Sequence, residues 1–214
     1  MKGRKRVDIW YSLQSDYCYF LIDRLLGLSS SGVDVTVRPV LGLVLRMPQA
    51  TQDRSMLEQQ YFNRDTERTA EFLKLPYARP DPSPIQLEPG SVWIATPEQP
   101  LIDRLYRLFV GANIQGLGLQ FLDVVVRGLW NGANAGWDKS QFLQDAMSEI
   151  GLDHDDILAK TSWDTASQIL DDNHNGMLDL GHWGVPLMAY DGEPFYGQDR
   201  FDQLVWRLGF EAKP

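Results

Sequence analysis

Near the N-terminus, the alternation of apolar and polar residues predicts a β-strand, a helix and a second β-strand. The two strands follow from the alternating apolar positions of residues 7–11 and 33–37. Between them, apolar residues recur at helical spacing over Asp16–Leu28, and a run of serines ending in Gly32 terminates the helix. A short strand–helix–strand unit of this kind forms a parallel pair with a right-handed crossover.

The middle of the chain has the periodicity of helices. One helix is predicted from Met56 to Leu73, and the proline-rich residues 76–97 are predicted to be irregular. The remaining predicted helices cover 101–110, 117–130, a segment that Asp138 caps and Gly151 ends, and a segment from Asp155 or Asp156 toward Leu170.

The C-terminal part returns to strand periodicity and ends in a helix. Leu187–Tyr190 is predicted to pair with Phe195–Tyr196 through a tight hairpin at Asp191-Gly192, and a final helix covers Asp199–Leu208. The order β-α-β, a long helical stretch and β-β-α predicts an α/β protein with a thioredoxin-like fold, a mixed four-stranded sheet and a large helical insertion domain. The thioredoxin-like domain is assigned to residues 1–45 and 175–214, and the insertion domain to residues 46–174.

Composition and charge limit the classes of partner. The 214 residues carry a formal net charge of −9, so no nucleic-acid partner is expected, because phosphate binding needs a clustered positive field. The basic cluster Lys2–Arg6 is interpreted as a solvated N-terminal tail. No apolar run is long enough for a membrane span, and the N-terminus lacks the apolar segment of a secretory signal. One cysteine cannot form an internal disulfide, and we expect a cytoplasmic protein.

The most informative polar motif is Ser15-Asp16-Tyr17-Cys18, where the first strand meets the first helix. Ligands gather at this edge of an α/β sheet, and a helix start favours an anion. Ser15 has two interpretations: an N-cap of the helix, or a hydroxyl that hydrogen-bonds the thiolate of a bound thiol cofactor. Cys18 is interpreted as a small buried apolar residue, because the chain has no second cysteine for a redox pair.

A second candidate region lies near the C-terminus. Pro186 follows Val185 at the start of a strand, and a cis bond there would turn the backbone of Val185 toward Ser15. Asp199, next to Gln198, lies at the start of the last helix. Asp199 has two compatible roles, a cap of that helix or an acceptor for the amine of a peptide-like cofactor.

Two acidic clusters resemble metal sites but lack the complete set of ligands at the required positions. Asp171 to His182 matches most of a calcium-binding loop, but His182 stands where a bidentate glutamate is needed. Asp153 to Asp156 are consecutive residues at a helix start, and their side chains point in different directions. The histidines are scattered, so no metal site is predicted.

Several motifs occur in an order that is more specific than any one of them. The most specific segment runs from Gly184-Val185-Pro186 to Gly197-Gln198-Asp199-Arg200. The others are Val7-Asp8, Ser15-x-x-x-Tyr19, Arg38-Pro39-Val40, Tyr61-x-x-x-Asp65-x-x-Arg68-x-Ala70, Leu75-Pro76, Leu129-Trp130 and Gly151-Leu152-Asp153. In this order the chain resembles the 2-hydroxychromene-2-carboxylate isomerases and the kappa-class glutathione transferases, within the DsbA-like thioredoxin superfamily. The resemblance covers essentially the whole chain.

The resemblance implies glutathione as cofactor and assigns residues to it. It implies that Ser15 hydrogen-bonds the glutathione sulfur, and that Val185 and Pro186 hold the glutathione backbone. It implies that Asp199, with Gln198 beside it, binds the γ-glutamyl end. The resemblance further implies a small-molecule substrate, a role in aromatic catabolism and a homodimer.

A substrate pocket is expected beside the thiol site, with aromatic side chains as its wall. The residues expected there are Tyr17, Tyr61 and Phe62. The chain departs from the family at Asp16, where proline is usual, and a carboxylate close to a thiolate disfavours the ionised thiol unless it points to water.

These features lead to two functional hypotheses. The first is a glutathione-dependent isomerase of the 2-hydroxychromene-2-carboxylate isomerase type, or a transferase, that acts on an aromatic or conjugated substrate through a thiolate stabilised by Ser15. The alternative is a redox-silent thioredoxin-like protein that binds a ligand or a partner, which Asp16 favours. Thiol–disulfide exchange is disfavoured by the single cysteine.

Overall fold

A computed structural model describes residues 4–52, 54–91 and 93–210. In these residues, four strands form one sheet in the order β2-β1-β3-β4. The pair β1–β2 is parallel, whereas β1–β3 and β3–β4 are antiparallel, which confirms the predicted mixed sheet. The strands are β1 (Arg6–Tyr11), β2 (Asp34–Pro39), β3 (Leu187–Tyr190) and β4 (Glu193–Tyr196).

The helices fall into three groups along the chain. Within the described ranges, two lie between β1 and β2, nine lie between β2 and β3, and one follows β4. They are α1 (Asp16–Tyr19), α2 (Ile22–Ser30), α3 (Leu43–Arg46), α4 (Gln49–Gln52), α5 (Met56–Leu73), α6 (Pro100–Ile114), α7 (Gly118–Phe121), α8 (Arg127–Trp130), α9 (Phe142–Glu149), α10 (His154–Lys160), α11 (Trp163–Asp179) and α12 (Phe201–Arg207). A π-helical turn, Leu122–Val126, joins α7 to α8, and a 3₁₀ turn, Gln198–Arg200, precedes α12.

The first helix of the chain is interrupted, so the prediction of one helix over Asp16–Leu28 is wrong. Helix α1 ends at Tyr19, and the N–H of Leu21 donates to the carbonyl of Cys18, a tight i−3 bond. Four consecutive residues from Tyr19 to Ile22 are buried. A regular helix cannot turn four consecutive side chains to one side, and the break allows all of them to be buried.

The predicted helix from Asp155 or Asp156 toward Leu170 is also two helices. Asp153 caps α10, because its carboxylate accepts from the N–H of Asp156 at 2.7 Å. Ser162 caps α11 in the same way, accepting from the N–H of Thr165 at 3.1 Å. Two caps this close in sequence start two separate helices.

The segment that resembled a calcium loop has a different structure. Residues 171–179 form the last turns of α11. Over the described ranges, no group of three or more histidine, cysteine, aspartate or glutamate side chains is arranged to hold a metal ion. Of the helices in those ranges, none is both long and apolar enough to cross a lipid bilayer.

The helical insertion and the sheet share one large hydrophobic core. Ile9 and Tyr11 of β1 belong to the same buried cluster as Phe109 of α6 and Val125 of the π-helical turn. A smaller cluster on the other face includes Trp10, whose indole N–H donates to a carbonyl of α11 at 2.7 Å. The sheet is therefore covered by helices on both faces. The division into residues 1–45 with 175–214 and residues 46–174 stays a prediction.

Sheet topology brings four segments to one edge. The parallel strands β1 and β2 both end there, at Tyr11 and Pro39. Because β3 runs antiparallel to β1, with Trp10 opposite Leu187, the residues just before β3 lie at the same edge. The end of β4 joins them, since Tyr196 is opposite Leu187.

Candidate functional site

Ser15 lies at this edge and caps α1. Its backbone is extended, with φ −102° and ψ 117°, and its hydroxyl accepts from the N–H of Cys18 at 3.3 Å. The side chain is only partly buried and contributes to the wall of a cavity. Ser15 is therefore an N-cap whose hydroxyl also borders an open space, and the two interpretations from the sequence are compatible.

The cavity has a volume of about 470 Å³, within the usual range for small-molecule sites. It lies between the start of α1, residues 42–51 and Arg54 after β2, the irregular residues 79–87 with Trp93, and the segment 183–185 before β3. Ser15 and Val185 both line it. The aromatic lining residues are Tyr17, Phe62, Trp93, Trp130, Trp183 and Tyr196.

The bond between Val185 and Pro186 is cis, as the hypothesis for this segment required. Gly184 lines the cavity beside Val185, and its N–H donates to Nδ1 of His182 at 2.8 Å. A Cβ at Gly184 would overlap the ring of Tyr196, so a larger residue here requires that ring to move. The C=O of Pro186 accepts from the N–H of Gly197 at 2.9 Å, which ties the segment to the end of β4.

Asp16 is buried and does not point to water. Its Oδ1 accepts a hydrogen bond from the hydroxyl of Tyr77 and another from Nε of Arg79 at 3.1 Å. Although burial lowers the pKa of Arg79, Asp16 and Tyr77 raise it overall. The carboxylate that departs from the family pattern is thus neutralised by a guanidinium from the irregular segment.

Tyr17 and Phe62 form a continuous aromatic wall. Their rings meet edge to face with centroids 5.7 Å apart, and the hydroxyl of Tyr17 donates to Asp65 of α5 at 2.5 Å. Burial, followed by the contact with Asp65, raises the pKa of Tyr17 well above its usual value. Tyr61 does not line the cavity: it lies on the outer face of α5 and is 63% exposed.

Cys18 is fully buried and part of the main core. Burial raises the pKa of its thiol to about 12, although hydrogen bonds and the charge of Arg46 act in the opposite direction. The interpretation as a small buried residue agrees with this position. A thiol of this kind is a poor nucleophile at neutral pH, because the reactive species is the thiolate.

We expect Cys18 to resist alkylation in the native protein. At pH 8 a thiol with a pKa of about 12 is ionised in roughly one molecule in 10⁴. Iodoacetamide labelling followed by intact mass should show no adduct in the folded protein over hours and complete labelling in denaturant. Rapid labelling of the folded protein would contradict both the burial and the raised pKa.

Gln198 and Asp199 are not part of the cavity lining. Asp199 pairs with Arg200 at 2.7 Å, and its side chain is 61% exposed. Its carboxylate folds back over Gly197, where a Cβ would lie 2.5 Å from Oδ1. The amide oxygen of Gln198 is buried without a hydrogen-bond partner in the described chain. The structure therefore brings Ser15 and Val185 together at the cavity, whereas Gln198 and Asp199 lie outside it.

The sequence alone did not predict that three arginines line the cavity. Arg46 follows β2, Arg54 follows α4, and Arg79 lies in the irregular segment. Arg54 stands over the ring of Trp93, with its guanidinium carbon 4.9 Å from the ring centre. Only Arg46 had a usable signal, because it follows the carboxyl end of a parallel strand.

Comparison with known proteins identifies the family of the chain. The family model described as a DSBA-like thioredoxin domain matches residues 6–209. A comparison with curated protein sequences finds no significant match.

Three solved structures illustrate the similarity of the fold. A 2-hydroxychromene-2-carboxylate isomerase has a TM-score of 0.68 at 19% identity, covering 95% of this chain and 94% of that one. A probable DsbA oxidoreductase from Streptomyces coelicolor has a TM-score of 0.65 at 20% identity, covering 99% and 92%. The cytosolic disulfide reductase DsbM from Pseudomonas aeruginosa with GSH has a TM-score of 0.56 at 16% identity, covering 96% and 100%. At these identities the likeness establishes the fold.

Proposed function

The chain belongs to the DsbA-like thioredoxin family, and we propose that it is a glutathione-dependent isomerase or transferase acting on an aromatic or conjugated substrate. One observation carries the proposal. The hydroxyl of Ser15 borders a cavity of about 470 Å³ whose wall also includes Val185, next to the cis bond with Pro186. A foreign thiol has room there, and the only thiol of the chain, Cys18, is buried.

The residues of the cavity suit most of a glutathione molecule. Glutathione carries one thiol, two carboxylates and one ammonium group. Ser15 would donate to the sulfur and Val185 would pair with the peptide backbone, while Arg54 of the wall suits a carboxylate. Asp199, which the resemblance assigned to the ammonium end, lies outside the lining. The carboxylate in the described lining is Asp16, and it is already paired with Arg79.

The chemistry follows from what each group of residues does. Bound glutathione would supply a sulfur nucleophile that adds reversibly to a conjugated double bond. The hydroxyl of Ser15 favours the charged form of a sulfur by hydrogen bonding to it. The aromatic wall, including Tyr17 and Phe62, holds a flat substrate and excludes water from it.

The similar structures support this proposal without deciding the substrate. One of them is an isomerase of 2-hydroxychromene-2-carboxylate, and another is a disulfide reductase with GSH. Those properties belong to those proteins, and the present chain shares the fold with them.

A second candidate is a redox-silent protein that binds a ligand or partner in the same cavity. The position of Gln198 and Asp199 favours it, because the predicted anchor for the γ-glutamyl end faces solvent instead of the cavity. In this candidate the aromatic wall and arginines bind a ligand that is not converted.

Turnover and binding separate the two candidates. The purified protein is assayed with 2-hydroxychromene-2-carboxylate, with and without glutathione, and glutathione binding is measured by calorimetry. We expect isomerisation only when glutathione is present. No heat of binding and no conversion with glutathione would rule out the enzyme and leave the binding protein.

A further inference from the structure

We propose that Arg46 is the cation that stabilises the negative charge of a thiolate held beside Ser15, an inference that rests on the proposed function. Arg46 is the last residue of α3 and lines the same cavity as Ser15. The ligand chemistry is that of a small thiol in its anionic form.

Two backbone carbonyls fix the guanidinium of Arg46 in place. Its Nε donates to the carbonyl of Leu41 at 2.9 Å, and its Nη2 donates to the carbonyl of Trp183 at 2.5 Å. Leu41 follows β2, whereas Trp183 immediately precedes the Gly184-Val185 segment. These two hydrogen bonds therefore connect the guanidinium to two of the segments that border the cavity.

The charge of Arg46 is not neutralised by these contacts. Within the described ranges its hydrogen bonds go to the two carbonyls and to the sulfur of Met47 at 3.8 Å, none of which is ionised. Burial lowers the pKa of Arg46, because the charged form loses hydration in the cavity wall. A partly buried cation without a counterion costs free energy, and an anion bound in the cavity would offset that cost.

The field of Arg46 reaches the start of α1. Arg46 is one of the charges that act on the thiol of Cys18, one turn beyond Ser15, and there it favours the ionised form. The hydrogen bond to the carbonyl of Trp183, next to Gly184 and Val185, places the guanidinium in the wall of the cavity that the Ser15 hydroxyl also borders.

Each of the other charged groups that line the cavity has a partner of its own, so Arg46 is the cation available to stabilise a thiolate. Asp16 acts on Cys18 in the opposite sense, but its charge is compensated by Arg79 at 3.1 Å. Arg54 is held over the ring of Trp93, with its guanidinium carbon 4.9 Å from the ring centre. An uncompensated positive charge from Arg46 explains how a thiolate is tolerated next to an acidic residue.

The step itself is the loss of a proton. The S–H bond of the thiol breaks, the electron pair stays on sulfur, and the proton passes to solvent. No oxidant or reductant takes part.

The test uses an introduced thiol at position 15, so that it does not depend on glutathione. S15C is made in a C18A background, which prevents an internal disulfide, and is combined with R46Q, R46K or R54Q. The pKa of the introduced thiol is read from thiolate absorbance and from alkylation rates against pH, and thermal unfolding confirms that each variant is folded. R54Q is the matched control, because it removes an arginine from the same cavity.

We expect R46Q to raise the pKa of the introduced thiol by about one unit, roughly a tenfold loss of thiolate near neutral pH. R46K keeps a positive charge and should give a smaller shift, and R54Q should give little. Equal shifts for R46Q and R54Q, or no shift for either, would overturn the proposal.

A second arm measures the thiol pKa of glutathione bound to the wild-type protein and to R46Q. A higher thiol pKa in R46Q supports the assignment. An unchanged thiol pKa together with weaker glutathione binding would mean that Arg46 binds a carboxylate of glutathione, and would contradict the assignment. If glutathione does not bind the wild-type protein, the proposed function fails, and the first arm still decides what Arg46 does.

Discussion

Replacing Ser15 by alanine is expected to lower glutathione-dependent kcat by about 10²- to 10³-fold, the usual cost of removing one preorganised donor from a charged reacting atom. The hydroxyl of Ser15 borders the cavity at the start of α1. A hydrogen bond to the charged form of a sulfur lowers the pKa of the thiol, so alanine reduces the population of thiolate. The measurement is the rate at saturating glutathione and near-neutral pH.

Two controls distinguish a loss of catalysis in S15A from a loss of stability. S15T keeps a hydroxyl and the N-cap, and we expect it to retain much more activity than S15A. Loss of the cap alone should cost S15A about 1 kcal/mol of stability, which thermal unfolding checks. The deficit of S15A should narrow as the pH rises above the pKa of the bound thiol, because the sulfur then ionises without help. Equal rates for S15A and wild type at neutral pH would contradict the role of Ser15.

The second large effect is on stability. Arg79→Met is expected to lower the free energy of unfolding by about 2–4 kcal/mol, toward the lower end for a buried ion pair because Arg79 is half exposed. Asp16 is only 5% exposed, and without Arg79 its carboxylate keeps the hydrogen bond from Tyr77 but no cation. Denaturant titration at neutral pH measures the loss.

Two further variants test the cause of that loss. R68M removes another arginine that pairs with an aspartate, Asp65, but at an exposed position, and we expect little change. The double variant D16N/R79M removes the buried charge together with its partner and should recover much of the stability that R79M loses. R79M as stable as wild type would mean that Asp16 does not depend on the guanidinium.

The fold was predictable wherever the residues that fix an element, such as caps and turn residues, lie within one short segment. Helix α5 has the predicted bounds, Met56 to Leu73, because Ser55 and Glu58 form a capping box and Lys74 adopts a left-handed conformation at φ 56°. The hairpin turn at Asp191-Gly192 is where it was expected, with both φ angles positive. Such features depend on neighbours in sequence, so the sequence pattern is enough to find them.

The candidate site was predictable only in part, because it depends on contacts between distant segments. Asp16 alone suggested a charge that repels a thiolate, but its partner Arg79 is 63 residues away and lies in an irregular segment without periodicity. Arg46 contacts the carbonyl of Trp183 across 137 residues. Pattern and spacing do not report such pairs, and only the folded chain brings them together.

Asp199 shows the same limit at a local scale, because its position was predictable but the direction of its side chain was not. Its placement at the start of the last helix is roughly right, since the 3₁₀ turn Gln198–Arg200 leads into α12. The direction of the side chain is set by its ion pair with Arg200 and by its fold over Gly197. Neither could be deduced from helix position, so its role toward a cofactor stays a prediction.

A crystal structure of the protein with glutathione tests the central claim most directly. The account predicts the glutathione sulfur within hydrogen-bonding distance of Oγ of Ser15, with the peptide backbone of the ligand paired to Val185. A sulfur that lies away from Ser15, or a cavity that stays free of the tripeptide at saturating concentration, would contradict it.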